Sequence, residues 1–511
     1  MKKLLSTVIL SLFVILVYGQ DVDPQLCGTP SYRSDWLKKY QANPKAYDLK
    51  SAEIINVPIT VNRLAENHGN GRMRATNVLR ALCTLQQDFE DSDIEFYLKS
   101  PIRDIDDNDF FDHETVVDGG LKMFEYNEDG AINCYLVRDA AGNCGYNLPW
   151  AGVAVQESCA RPEDHTWAHE MGHALKLPHP FLGWEGGISH DNSQAHQYDN
   201  PAPEFVLYNY TNFKDSLILD TMIIDTSWVE KMDGSNCNEA ADGFCDTKPD
   251  YLYQRWPCTN DSISFTEQTD PNGVKFNSDA SLIMSYAFDN CAARFTDEQI
   301  GAMRANALDE KGDFTSTGMV FPDPVDPLSI ELNYPIEDEV VFFRDVEFGW
   351  EESQEDQFYL FQVGVEPSFS LVLYDTIVDS PSLTWHEADI SWGRLYWRVR
   401  PFTANQFCTE YSTSGQFLPS ETSSVKEEIR QDLTLFPNLI ENNIPEVYLR
   451  NSDGRFDQSR FRCLDINGRI ISSGRVAFDK ISLEQGKLMS GIYFIQIDNG
   501  AAPINFKLVV I

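Results

Sequence analysis

Positive charge is scarce in this 511-residue chain: 40 Lys and Arg stand against 79 Asp and Glu, a formal net charge of −39. Neutralising phosphates needs clustered cations, so this balance argues against a nucleic-acid partner. Long apolar runs are equally scarce. One run, Leu4 to Val17, follows Lys2 and Lys3, and nothing of that length comes after it. It falls short of the roughly 20 residues that span a bilayer, so no stable transmembrane anchor is expected. A basic start, an apolar middle and the small residues Val17 and Gly19 read as an export signal over 1–19, cleaved near Gly19 or Gln20. Export permits disulfides. The chain has 11 cysteines, an odd number that leaves at least one thiol unpaired.

At roughly 150 residues per domain the length predicts about three domains, and 42% hydrophobic with 12% aromatic residues supplies their cores. A polar lead, 20–52, holds Cys27 in the context CGTP. From 53 to 322 strands alternate with helices. INVPITV (55–61), IEFYL (94–98), AINCYLV (131–137) and AGVAVQ (151–156) read as strands, and MRATNVLRALCTLQQDF (73–89) as an amphipathic helix. Further helices are expected over 164–176 and from Asp297 to Leu308 behind a Thr296 cap. The expected class is α/β (α+β): a catalytic domain with a twisted sheet and an active-site helix, then two all-β sandwich domains. Pro322, Pro324 and Pro327 mark the first linker. From 323 to 420 only strand signals follow, and ETSSVKEEIRQD (421–432) is the second linker. The last part, 433–511, is strand and turn, with turns at Asp453-Gly454, Asn467-Gly468 and Ser490-Gly491.

The chemistry sits in HEMGHALKLPH, 169–179. One helical turn separates His169 from His173, so both imidazoles can reach one ion. Glu170, about 100° around the helix, reaches a water on that ion rather than the ion itself. Two histidine ligands with Glu as general base is the arrangement of a zinc protease. His179 becomes the third ligand if the chain turns back after Leu175, and Pro178 favours that by driving Leu177 out of helical geometry. His165, at the helix start, reads as a capping or surface residue. Another zinc protease group takes its third ligand from a downstream Glu; NEAAD (238–242) resembles that context superficially but lacks a helical pattern, so His179 is the better candidate.

SLIMSYAFDNCAARFTDEQIGAM (281–303) supplies an independent feature. The histidine motif followed about a hundred residues later by Met284 and Tyr286 resembles the metzincins. With GSNCNEAADGFCDTKPDY (234–251) and Cys291, the segment from about 50 to 310 resembles the pappalysin family of metzincins. That resemblance implies a secreted zinc metalloendopeptidase acting on proteins or peptides, Met284 as the floor beneath the metal and Tyr286 as a stabiliser of the transition state. One position departs from it: Lys176 stands where metzincins have Gly. If the turn is left-handed, a non-Gly residue there costs about 1–2 kcal/mol.

Cys237, Cys245, Cys258 and Cys291 allow three pairings; the resemblance favours Cys237 with Cys258 and Cys245 with Cys291. Asp242, Asp246 and Thr247 offer oxygen ligands for structural Ca2+, or form a solvated acidic loop. Cys27 can occupy the open zinc position as a propeptide cysteine switch, as pappalysin-like zymogens do, or pair with another cysteine. CGYNLP (144–149) can offer an edge strand to substrate or be an ordinary edge loop. The resemblance also implies an acid near Met284 that favours a basic substrate residue, for which Asp289 is the candidate.

The segment 323–420, with Trp350 in VEFGW and YWRVRPF (396–402), resembles a fibronectin type III module. LFPNLIENN, CLDINGRIISSGR, LMSGIYFIQIDNG and FKLVVI resemble the C-terminal sorting domain of the type IX secretion system of Gram-negative bacteria. The proline expected after Pro437-Asn438 is replaced by Leu439. This resemblance implies the type IX machinery as a partner and a secreted or surface location. A surface adhesion protein with an inactive protease domain is the alternative from another class.

Overall fold

The computed structural model describes residues 25–29, 32–47, 53–184, 197–209, 224–323, 326–352, 357–386, 388, 393–420, 434–440, 446–450, 456–466, 468–484, 486–497 and 504–511. The expected export signal, the expected 421–432 linker and the expected Asp453-Gly454 turn lie outside them. The described chain is mostly sheet with few helices, and none of the described helices is long and apolar enough to cross a membrane. Two compact units are present. The first is Met1–Glu337 with Glu347–Thr384 and Arg394–Gln416; the second is Asp338–Val346, Trp385–Gly393 and Phe417–Ile511. The fibronectin-like stretch is therefore divided between them.

In the first unit, strand Ile55–Ala65 is buried at every position. It pairs in parallel with Ile94–Leu98 and with Ile132–Val137, which pairs in parallel with Gly152–Gln156. Asn143–Leu148 then runs antiparallel to Gly152–Gln156 and forms the rim of the sheet. Strands buried on both faces suit a parallel sheet covered by helices. Helix Ala75–Asp88 turns Val78, Leu79, Leu82 and Leu85 inward, the spacing of one apolar face. Helix Asp297–Leu308 begins at a reciprocal Thr296/Gln299 capping box. One core joins Val57, Leu79, Phe96, Trp167, Met171 and Met303.

Two features depart from the sequence reading. The polar lead contains a helix, Asp35–Ala42, capped by Ser34, with Trp36, Leu37 and Tyr40 buried in that same core. Trp36 Nε1 donates to Asp309 Oδ2 at 2.7 Å. The β-rich stretch after 347 is also fastened to this unit. Cys83, on helix Ala75–Asp88, is bonded to Cys408, and Leu360, Phe402 and Phe407 extend the core. Trp350 stacks on Phe361 and Trp397 tilts against both, as inward aromatics of a β layer do.

In the second unit, Arg460–Asp465 pairs with Ile470–Arg475 and Gly491–Ile497, which pairs with Ile504–Val510. A smaller sheet of Thr434–Phe436, Glu446–Arg450 and Lys480–Ser482 accompanies them. Val447, Leu449, Ile481, Ile495 and Leu508 lie in one buried core, the mark of a β domain.

Candidate metal centre and its cover

Helix Thr166–Ala174 is buried along its whole length. At its end Leu177 N donates to Gly172 O and Lys176 N to His173 O, both at 2.9 Å, while Lys176 takes φ 74°. This is a Schellman ending built on a lysine, and it reverses the chain towards His179. His169, His173 and His179 then meet through their Nε2 atoms: 3.2 Å between His169 and His173, 3.1 Å between His169 and His179, 3.0 Å between His173 and His179.

The backbone fixes two of the three tautomers. His169 Nδ1 lies 2.8 Å from Ile283 O and His173 Nδ1 lies 2.6 Å from Leu177 O. A carbonyl only accepts, so each Nδ1 carries the proton and each Nε2 presents a lone pair. Burial, then the neighbouring His179, pushes His169 down to about 3; burial depresses His173 as well. Facing lone pairs repel unless a cation lies among them. Nitrogens bound tetrahedrally at about 2.0–2.1 Å stand roughly 3.3 Å apart, so the donor set fits a zinc ion.

Cys27 completes the group: its sulfur and the three imidazole nitrogens lie within 4.8 Å of one another, all buried. Cys27 Sγ is 3.5 Å from His173 Nε2. It is delivered by the lead, whose Gln25–Cys27 pairs in parallel with the rim at Asn143 and Gly145. Thr29, which the sequence does not single out, binds the other half of the site. Its hydroxyl donates to Glu170 Oε2 at 2.6 Å and accepts from Asn147 N at 2.7 Å. Glu170 is buried, its Oε1 has no hydrogen-bond partner, and burial pushes it up to about 8. Two glycines make room: a Cβ on Gly145 would fall 2.8 Å from Glu170 Cγ, and one on Gly172 2.5 Å from Met284 Sδ. That second contact explains how Met284, fully buried, fits under the helix.

Tyr286 stacks edge-on against His179, with centroids 5.0 Å apart, and its hydroxyl is 3.5 Å from Cys27 O. The loop between Met284 and Tyr286 is braced by Ser285 Oγ, which donates to Asp250 Oδ2 at 2.7 Å. Asp250 also accepts from Leu252 N and Ser278 Oγ. It lies within the 234–251 stretch, where the sequence assigns it no role. His165 stands at the helix start without capping it and bonds Asp88 Oδ1 at 2.8 Å.

Other candidates do not join this cluster. Asp289 already takes Arg255 Nη2 at 2.5 Å and His165 N at 3.3 Å, so an internal guanidinium occupies the carboxylate expected to meet a basic substrate residue. The expected calcium trio is split. Asp242 Oδ1 accepts from Phe244 N, with Thr247 Oγ1 also at 3.0 Å. Asp246 turns away, accepting from Glu298 N in the first turn of helix Asp297–Leu308. Asp242 Oδ2 and Glu230 Oε2, both buried, have no hydrogen-bond partner. Burial and then the Asp242 charge push Glu230 up to about 10. Glu230, which the sequence reading does not name, thus lies near enough to Asp242 to feel its charge, but a calcium site takes six to eight oxygen ligands and the metal-capable group among the described residues is the Cys27 and histidine cluster.

The disulfides correct the expected pairing. Cys237 is bonded to Cys245 and Cys258 to Cys291, with Cα separations of 5.0 and 6.1 Å. Trp256 N donates to Tyr286 O and Phe288 N to Trp256 O, which places 258 beside 291. A tight turn closes 237 on 245, with Ala240 N donating to Asn236 O. Cys144 joins Cys159. The buried free thiols are Cys27, Cys134 and Cys463. Four disulfides fit an extracellular protein.

No family model matches the chain, and no curated protein does. Among solved structures, PorZ, a surface component of the type IX secretion system of Porphyromonas gingivalis, is 13% identical with a TM-score of 0.14. The match covers 22% of this chain and 15% of PorZ, so this chain spans a small part of that protein. The FN1–FN3 domains of chicken CNTN1 give 11% identity over 38% of this chain and 67% of theirs, with a TM-score of 0.19. The ectodomain of the teleost fish polymeric Ig receptor gives 12% identity over 35% of this chain and 97% of its own, with a TM-score of 0.14. Likenesses this slight carry neither fold nor function across to this chain.

Proposed function

We propose that the chain is a secreted zinc metalloendopeptidase of the metzincin type, similar to the pappalysins, made in a latent form. The observation that carries this reading is the convergence of three imidazole Nε2 atoms and one thiol beside a buried carboxylate. His169, His173 and His179 hold the zinc. Zinc there supplies Lewis acidity towards a peptide carbonyl and makes water acidic near neutral pH.

The chain's own residues do the rest. Asn143–Leu148 offers its edge to an extended substrate, the edge that Gln25–Cys27 occupies in the latent form. Glu170, released from Thr29, takes the proton of the attacking water and passes it to the departing amine. Tyr286 donates its hydroxyl to the developing oxyanion. Asp250, through Ser285, holds the loop that carries Met284 and Tyr286. Ca2+ bound at Asp242 and Glu230 would steady the segment between Cys237 and Cys245. The C-terminal β domain serves as the address for type IX export.

The test is metal analysis with casein cleavage by wild type and Glu170→Ala, each opened at the lead. Roughly one zinc per chain in both, with activity only in wild type, is the expected result. Equal activity in the two sinks the mechanism, and no activity in either leaves the adhesion reading.

A further inference from the structure

Three large apolar side chains stand in the open at one end of the rim strand. Leu121 is 47%, Phe124 53% and Trp150 46% exposed. Exposed apolar residues are ordinarily scattered singly; a cluster of them on so acidic a chain calls for a partner. Leu121 and Phe124 lie three apart on helix Val116–Tyr126, hence on one face. Trp150 sits in the turn that follows the rim strand, where Ala151 N donates to Leu148 O at 2.9 Å.

The cluster is built rather than loose. Phe124 and Trp150 stack with centroids 5.3 Å apart and planes 16° from parallel. Gly120 admits them: a Cβ there would fall 2.6 Å from Leu148 Cδ1 and 2.9 Å from Trp150 Cη2. The indole therefore rests on bare helix backbone on one side and on Phe124 on another. A ring held in this way loses little freedom when it binds, which is what makes aromatic anchors effective.

The rim identifies the occupant. In this molecule it already carries an extended chain, with Gln25 opposite Asn143 and Cys27 opposite Gly145, then Asn147 N bonded to Thr29 Oγ1. Any polypeptide laid along it with one residue at the metal comes to the Trp150 turn roughly four residues further on, at about 3.3 Å per residue. We propose that Trp150, Phe124 and Leu121 form an apolar subsite that selects polypeptide substrates with a large aliphatic or aromatic side chain about four residues from the scissile bond, on one side of it only. This rests on the protease reading.

The full-length, zinc-loaded chain opened by Cys27→Ala and Thr29→Ala is given decapeptides that carry Leu at each position in turn, together with hexapeptides too short to reach the turn. For peptides with Leu at the distant position, Trp150→Ala and Phe124→Ser should each raise KM roughly tenfold, the worth of one buried apolar side chain. For hexapeptides KM should stay unchanged, and kcat should stay within about twofold throughout. Equal losses on long and short peptides, or no loss on either, overturn the proposal. Binding of the same labelled decapeptides to the opened Glu170→Gln chain, with and without Trp150→Ala, needs no catalysis and separates the two readings. A tenfold weaker Kd with no turnover in any variant keeps the subsite and removes the enzyme. Unchanged Kd values, with self-association of the chain abolished by Trp150→Ala, overturn it in favour of a contact between copies.

Discussion

The lead contains two short pieces held by different physics. Gln25–Thr29 reaches the three-histidine cluster and Glu170 through a thiol, a hydroxyl and a few strand hydrogen bonds. Asp35–Ala42 is held by buried side chains, Trp36, Leu37 and Tyr40, in the main core. Polar contacts can be broken locally and replaced by water. Apolar burial cannot, because its removal leaves a hole in everything packed around it. On the proposed reading the first piece is a latch and the second a part of the domain, although a cleavage near residue 52 would remove both.

The largest effect tests the latch. In the full-length, zinc-loaded chain, Cys27→Ala should raise basal peptide cleavage by two orders of magnitude or more, since only a ligand that binds the open position excludes water from it. Thr29→Val should keep the thiol in place and free Glu170, giving a rise of a few fold in the same assay. If Thr29→Val activates as much as Cys27→Ala, the hydroxyl rather than the sulfur holds the site closed.

The helix should respond in stability instead. Leu37 is fully buried, so Leu37→Ala should cost about 2–5 kcal/mol in denaturant unfolding. Activity per folded molecule should not rise. Latency lost in step with stability would show that the two pieces act as one. Arg33 Nη2 bonds Asn238 O, and Gln41 Nε2 bonds Asp242 O at 2.8 Å, so the helix also props the loop of the proposed calcium site. Calcium should accordingly raise the melting temperature of the wild type by a few degrees. Glu230→Gln should abolish that increment, and an equal increment in the variant removes Glu230 from the site.

What the sequence discloses follows the same division. His169, Glu170 and His173 are legible because a helix turns spacing into direction, and His179 because Pro178 announces the return. Thr29 and Asp250 are not, since each acquires its role from a partner 141 residues away in one case and 35 in the other. The lead helix was hidden by composition: three buried side chains in eight residues leave it looking polar. Cys83 and Cys408, 325 residues apart, pair only because the β-rich stretch folds back on helix Ala75–Asp88. The pairing among Cys237, Cys245, Cys258 and Cys291 was set by local backbone contacts that the resemblance did not carry.

Lys176 gives the smallest effect and a direct reading of backbone strain. It adopts φ 74° at the position where the chain must reverse to bring His179 to His169 and His173, and a residue with a Cβ pays about 1–2 kcal/mol for that conformation. Its side chain returns part of it: Nζ lies 3.2 Å from Glu310 Oε2, a partly exposed pair worth at most about 1 kcal/mol. Lys176→Gly relieves the strain, loses the ion pair and adds backbone freedom to the unfolded chain, leaving a gain of roughly 0.5 kcal/mol or less. Zinc content and turnover should stay as in wild type, because the hydrogen bonds from Lys176 N and Leu177 N are made by the backbone. Loss of zinc from this variant would mean that the ion pair with Glu310, rather than the helix ending, holds the third histidine in place.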